Sequence, residues 1–188
     1  IPADPGGGFS TTTYLANFGS VGMINGEVIT TLFIDFNGLT CPGTANQAIG
    51  IGTSTSPAFI TQITTAKNGI VYRGEMICVE VGTGSNISNV IDLVANDSDN
   101  IDPGEDVTSG TSSVLIDQGG SYNLGEMRTF DSSNITTYTD SGGETITILN
   151  PAGTIPDGGM QGRYLYLSVG SSSQSGGAYT AGKYIIRL

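Results

Sequence analysis

Short runs of β-branched and aromatic residues, separated by turn-forming residues, dominate the hydrophobic pattern of this chain. The clearest run spans residues 28–36, where Leu32, Ile34 and Phe36 lie on one face at a period of two. Such alternation is typical of a half-buried β-strand. Similar runs predict further strands, at residues 59–65, 114–116, 127–130, 145–149, 164–169 and 184–188.

Two stretches allow more specific predictions. Asn68-Gly69 separates residues 63–65 from residues 70–72, and Asn-Gly between two β-prone runs predicts a tight hairpin. Residues 75–81 alternate so that one face is apolar, with Ile77 as an example, and the other is mixed. The pattern therefore predicts a strand covered only partly by its neighbours.

One segment has the spacing of a short helix. Ile87, Val90, Ile91 and Val94 follow one another at helical intervals after Ser85-Asn86, which would cap a helix. Ile91 and Leu93 also suit a strand. The segment is the one place where the pattern predicts a helix.

The arrangement of these runs predicts the fold class. About eight short strands joined by Gly-rich turns favour an all-β domain over residues 14–188, an antiparallel sandwich resembling a jelly roll. Residues 1–13 contain three consecutive glycines and read as an extended N-terminal arm without a core of its own. The arm is either a loose terminus or a segment that orders on a neighbouring subunit. The predicted partner contacts are Pro2, Pro5, Phe9 and Tyr14.

Charge and composition exclude several classes of function. The 188 residues carry a net charge of −11 and have no His. Nucleic acids and anionic membrane surfaces repel such a chain, and no apolar run reaches the ~20 residues that span a bilayer. Without His the commonest general base and metal ligand are missing. We expect no enzymatic activity, no bound nucleic acid and no membrane.

Residues 97–106 are the most acidic stretch and the only candidate metal site. Asp97, Asp99 and Asp102 could supply some of the oxygen ligands that calcium requires. The spacing departs from the EF-hand pattern, since Ile101 occupies the third ligand position. A solvated acidic loop is the favoured interpretation, so we expect no cofactor.

The remaining candidate residues are two cysteines and two tyrosines. Cys41 and Cys78 lack the spacing of a zinc site; they either form one bridge or, as we favour, are small buried hydrophobic residues. Tyr164 and Tyr166 share one face of their predicted strand and would serve either as a contact surface or in core packing.

Four stretches resemble structural proteins of tailed phages, especially phages of cyanobacteria and marine bacteria. They are Ile-Asn-Gly-Glu-Val-Ile-Thr-Thr at residues 24–31, residues 59–76, Tyr-Leu-Tyr-Leu at residues 164–167, and residues 178–188. The resemblance implies a capsid decoration (cement) protein on the outer surface of the virion. Its implied partners are the major capsid protein and further copies of itself, for example in a trimer. No functional residue carries over.

Two other functions are compatible with the same composition. The first is a subunit of an extracellular filament that assembles by donating an N-terminal strand. The second is a carbohydrate-binding module of a phage fibre or spike. The absence of Trp counts against the second, because sugar-binding clefts generally rely on stacked aromatic rings.

Overall fold

The computed structural model shows a nearly all-β chain with antiparallel sheets, which confirms the predicted class at that level. It describes residues 14–17, 29–52, 56–69, 71–116, 119–131, 138–139, 145–146, 160–170 and 176–188. Most predicted strands are confirmed where they fall within these residues, but the one predicted at residues 59–65 is a strand only at Thr61–Gln62, and Thr65 begins a short helix. The strands are β1 Tyr14–Asn17, β2 Thr31–Asp35, β3 Thr40–Cys41, β4 Thr61–Gln62, β5 Arg73–Gly84, β6 Ile91–Asn96, β7 Ser112–Ile116, β8 Met127–Asp131, β9 Tyr138–Thr139, β10 Thr145–Ile146, β11 Tyr164–Val169 and β12 Gly177–Arg187.

The larger sheet is built around two long strands. Its order is β1-β2-β12-β5-β8, and β3 also pairs with β12. Strand β12 pairs with β2 on one side and with β5 on the other, antiparallel in both cases. The alternation predicted for β2 is confirmed, since Leu32 and Ile34 are buried and Phe33 between them is exposed.

The smaller sheet has the order β4-β11-β6-β7. All six residues of β6 are buried, because the strand has hydrogen-bonded neighbours on both sides and covered faces. The helix predicted around residues 87–94 is therefore wrong, and the alternative of a strand at Ile91 and Leu93 is confirmed. Its apparent helical spacing arises because a strand buried on both faces is apolar at most positions, so a 3.6-residue period can be read from it by chance.

The hairpin predicted at Asn68-Gly69 is also wrong. Residues Thr65–Asn68 form a short helix, α1, which ends at Gly69 with φ 64°. The strand before it, β4, pairs with β11, whereas the strand after it, β5, pairs with β12 and β8. The Asn-Gly sequence thus lies in the connection from one sheet to the other.

One hydrophobic core receives side chains from both sheets, with Tyr184 from the larger sheet and Leu93 from the smaller as examples. At its aromatic centre the Phe36 ring lies 4.9 Å from the Tyr179 ring and 4.8 Å from the Tyr184 ring. Aromatic pairs at these separations contribute attraction beyond the area they bury. The core therefore ties β12 to the chain segment that follows β2.

Cys41 and Cys78 are both buried and both free. The preferred interpretation, that they are small buried hydrophobic residues, is confirmed, and they form no bridge. The Cys41 sulfur accepts a hydrogen bond from the Ser88 backbone N–H at 3.1 Å. Burial raises the pKa of the Cys78 thiol, so both sulfurs belong to the packed interior.

Candidate functional site

The face of the larger sheet that points away from the core is the candidate functional surface. Along β2, β12, β5 and β8, alternate residues point into the core, and directly paired residues of an antiparallel ladder share a face. Ile185 pairs with Phe33 on one side and with Ile77 on the other, and Ile77 pairs with Met127. These four side chains form a line across the strands, which we call the apolar row.

The apolar row is accessible to solvent along much of its length. Phe33 is exposed by 38% and Met127 by 52%, and Ile185 and Ile77 between them are half-buried. On its other side Phe33 pairs with Leu15 of β1. Isolated apolar side chains on a protein surface are ordinary, but a contiguous row rimmed by polar groups is typical of an interaction surface.

An ion pair flanks the row on each side. On one side the Arg187 guanidinium lies 2.7 Å from the Glu75 carboxylate. On the other, the Lys183 ammonium donates a hydrogen bond to Glu80, and this bond raises the pKa of the lysine. Each pair joins β12 to β5. Exposed pairs of this kind add little to stability, but they set a fixed pattern of charge around the row.

A bulge in β5 shapes one edge of this surface. Tyr184 pairs with Cys78 and Lys183 pairs with Glu80, so Val79 is an extra residue in the ladder. A bulge of this kind bends the strand and re-aims its side chains. Val79 is 41% exposed as a result and extends the apolar surface beside Ile77.

The acidic loop uses several of its polar groups to hold its own backbone. A Glu105 carboxylate oxygen accepts the Asp102 backbone N–H at 2.9 Å, and an Asp106 oxygen accepts the Thr108 N–H at 2.8 Å. The calcium candidates are not brought together: Asp97 and Asp99 are exposed, Asp102 is half-buried, and the described residues contain no group of three or more potential metal-ligating side chains.

The two candidate tyrosines have different environments. Tyr166 is fully buried, and its hydroxyl donates to the Ser98 carbonyl at 2.7 Å. Tyr164 is half-buried, and its ring lies 4.9 Å from the Phe59 ring at an interplanar angle of 57°. Of the two predicted roles, core packing therefore applies to Tyr166, and its burial raises its pKa above the usual range for tyrosine.

The predicted partner contacts fall at the beginning of the chain. Tyr14 opens β1 and pairs with Ile34 of the same chain. Pro2, Pro5 and Phe9 lie outside the described residues. Strand β1 is the end strand of the larger sheet, so the predicted arm is joined directly to a sheet edge.

Sequence reasoning missed the apolar row. It found an apolar face on residues 75–81 but could not say which neighbour would cover it. The structure buries Met76 and Cys78 of the mixed face and leaves Ile77 and Val79 pointing outward. The sequence did contain one indication of the row: both faces of this strand carry large apolar residues. One of the two faces therefore needs a partner other than the core.

Comparisons with known proteins complete this description. A scan against protein-family models, a search of curated proteins and a search of solved structures each found no match to the chain.

Proposed function

We propose that the chain is a virion structural protein that decorates the outer surface of a phage head and stabilises it by bridging capsomers. The observation that carries the proposal is the position of β1, which is the end strand of the larger sheet and directly follows the predicted arm. An arm attached at a sheet edge reaches a neighbouring subunit without crossing its own domain. Strand addition to that neighbour satisfies backbone groups on both chains.

The way in which the two sheets pack against each other is also part of this proposal. We infer that the two antiparallel sheets stack as a sandwich resembling a jelly roll. Support comes from the single core that both sheets share. A sandwich presents one outer face per sheet, which suits a protein that acts by surface burial.

The charge of the chain also supports a position outside the shell. With a net charge of −11 the protein is repelled by packaged nucleic acid. Its partner is then the major capsid protein. Binding requires no cofactor, because it consists of apolar burial and backbone hydrogen bonds.

Electron microscopy of the native source material, with an antibody raised against this chain, tests the proposal. Labels at regular sites on icosahedral heads would support it. Labels along continuous fibres would replace it with the second candidate, a filament subunit assembled by strand donation. The same position of β1 favours that candidate, because an edge strand next to the N-terminal arm is well placed for donation.

Removing the arm separates its role from that of the domain. Deletion of residues 1–13 should leave a folded β domain, by circular dichroism and cooperative melting, that no longer binds heads from which the native protein has been stripped. The control replaces the same residues with a Gly/Ser stretch of equal length, which should bind equally poorly. Undiminished binding by either variant would contradict the bridging role of the arm.

A further inference from the structure

The charges around the apolar row are arranged so that the surface is complementary to itself. Both cations, Arg187 and Lys183, lie on β12, whereas both anions, Glu75 and Glu80, lie on β5. The strands are neighbours, so a line drawn between them separates the two cations from the two anions of these ion pairs. Arg73 of β5 and Asp35 of β2 lie on the same face, outside these two pairs. The apolar row crosses this line with Ile185 on one side and Ile77 on the other.

We propose that two copies of this chain associate through this face, related by a twofold axis that runs parallel to the strands between β12 and β5. Such an axis exchanges β12 with the partner's β5. The inference goes beyond the proposed function, since it concerns the free chain, and it can succeed or fail independently of any capsid.

This symmetry brings opposite charges together on both sides of the row. Arg187 lies over the partner's Glu75, and Lys183 lies over the partner's Glu80. Within the row, Ile185 meets the partner's Ile77 and Phe33 meets the partner's Met127. Every contact occurs twice, as an isologous interface requires, and electrostatic complementarity of this kind fixes the register of association.

The alternative face-to-face symmetry is disfavoured by the same charges. A twofold axis along the apolar row would place each strand over the same strand of the partner. The ion pair on one side of the row would then lie over the partner's ion pair from the other side. Arg187 would then face the partner's Lys183, and Glu75 would face the partner's Glu80. Like charges opposed across an interface repel each other, so the pattern selects the axis parallel to the strands.

A second copy suits this face better than an unrelated anionic or cationic partner. The chain as a whole carries a net charge of −11, yet two of its six Lys and Arg residues lie beside the row and are each matched by an acid. The two ion pairs beside the row thus carry no net charge, on a strongly acidic protein. Two copies repel each other less here than over most of their acidic surface.

The size of the face predicts how strong the association is. Four strands about 4.8 Å apart and five residues of about 3.4 Å each give a face of roughly 300 Å² in projection. Two such faces together bury roughly 600 Å², which is below the range of stable specific complexes and is typical of a weak, transient contact. We therefore expect a weak dimer that forms only at high protein concentration.

Sedimentation equilibrium of the purified full chain tests the inference. The wild type should show a monomer–dimer equilibrium, and Met127→Glu should raise the dissociation constant at least about tenfold by placing a charge against the partner's Phe33. The matched control is Tyr72→Glu, because Tyr72 has a similar exposed fraction of 45% but lies off the outer face. A wild type that stays monomeric at roughly 1 mM, or that forms trimers, would overturn the inference.

Charge reversal tests the symmetry itself. Arg187→Glu and Glu75→Arg should each fail to self-associate, because like charges then face each other across the axis. An equimolar mixture of the two variants should form a heterodimer, since every charged contact between them is again opposite. Stronger self-association of Arg187→Glu would instead support the axis along the row and overturn this proposal. Circular dichroism of each variant confirms that the fold is retained.

Discussion

At the scale of single residues, one glycine decides how closely the two longest strands approach each other. Gly182 of β12 has φ 135°, and a Cβ on it would lie 2.9 Å from the Gly82 Cα of β5. Both the backbone conformation and the contact exclude a side chain. The register between β12 and β5 shifts at the same point, between Ala181 and Lys183.

Gly182→Ala should therefore destabilise the protein by about 2–3 kcal/mol. Urea unfolding followed by circular dichroism measures the change. Gly119→Ala is the control, since nothing lies within 4 Å of its added Cβ, and it should leave stability unchanged or slightly increased. Equal effects of the two substitutions would contradict the argument from close approach.

The Glu126 carboxylate is held by hydrogen bonds that favour its charged form. Its pKa is lowered to about 2, first by the Asn123 backbone N–H and then by the Arg128 guanidinium. The two donors lie 2.9 Å and 2.7 Å from its oxygens. A carboxyl with a lowered pKa stabilises the folded state above its ordinary pKa, and that contribution disappears as the pH falls from about 4.5 to about 2.

A carbon-detected NMR titration should place the Glu126 midpoint near pH 2. Arg128→Gln should move the midpoint upward, because the charged donor is lost while the Asn123 N–H remains. Lys67→Gln, in α1, should leave it where it is. An ordinary glutamate midpoint in the wild type would show that this hydrogen-bonded turn does not persist in solution.

At the scale of secondary-structure elements, a buried amide organises the connection between the two sheets. The Asn68 side chain accepts the Thr64 backbone N–H at 2.9 Å and donates to the Thr30 hydroxyl at 2.9 Å. It thereby closes α1 and ties it to the residue before β2. Buried polar groups require such partners, since an unmade hydrogen bond costs the full desolvation of the group.

Asn68→Ala should lower the free energy of unfolding by about 1–3 kcal/mol, because it leaves the Thr64 N–H and the Thr30 hydroxyl without their partner. Thermal melting monitored by circular dichroism measures the loss. Lys67→Ala, one residue earlier, should change the melting temperature little. If Asn68→Ala behaves like that control, the amide does not organise the connection.

At the scale of the whole molecule, the shared core predicts that the two sheets unfold together. Tyr184 of β12 and Leu93 of β6 belong to the same cluster. In native-state hydrogen exchange, the central amides of β12 and β6 should therefore exchange with the same free energy, that of global unfolding. Much faster exchange throughout one of the two strands would show that its sheet opens independently.

The all-β class and the positions of several strands follow from local sequence patterns alone. Strand β11 was predicted with its observed bounds, Tyr164–Val169, and the buried alternation of β2 was read directly. These features are local: a period of two and a high content of β-branched residues favour an extended backbone wherever it is later placed.

Which strands pair, and which of their faces are covered, depends on the assembled fold. Ile185 lies beside Phe33 and Ile77, residues more than 100 positions away along the chain, and no local pattern specifies such partners. Contacts between distant segments also explain why β6 is a strand and why Asn68 lies at the end of a helix. They also explain why the apolar row faces outward. Burial is a property of the neighbours a residue acquires, and these are fixed only when the sheets assemble.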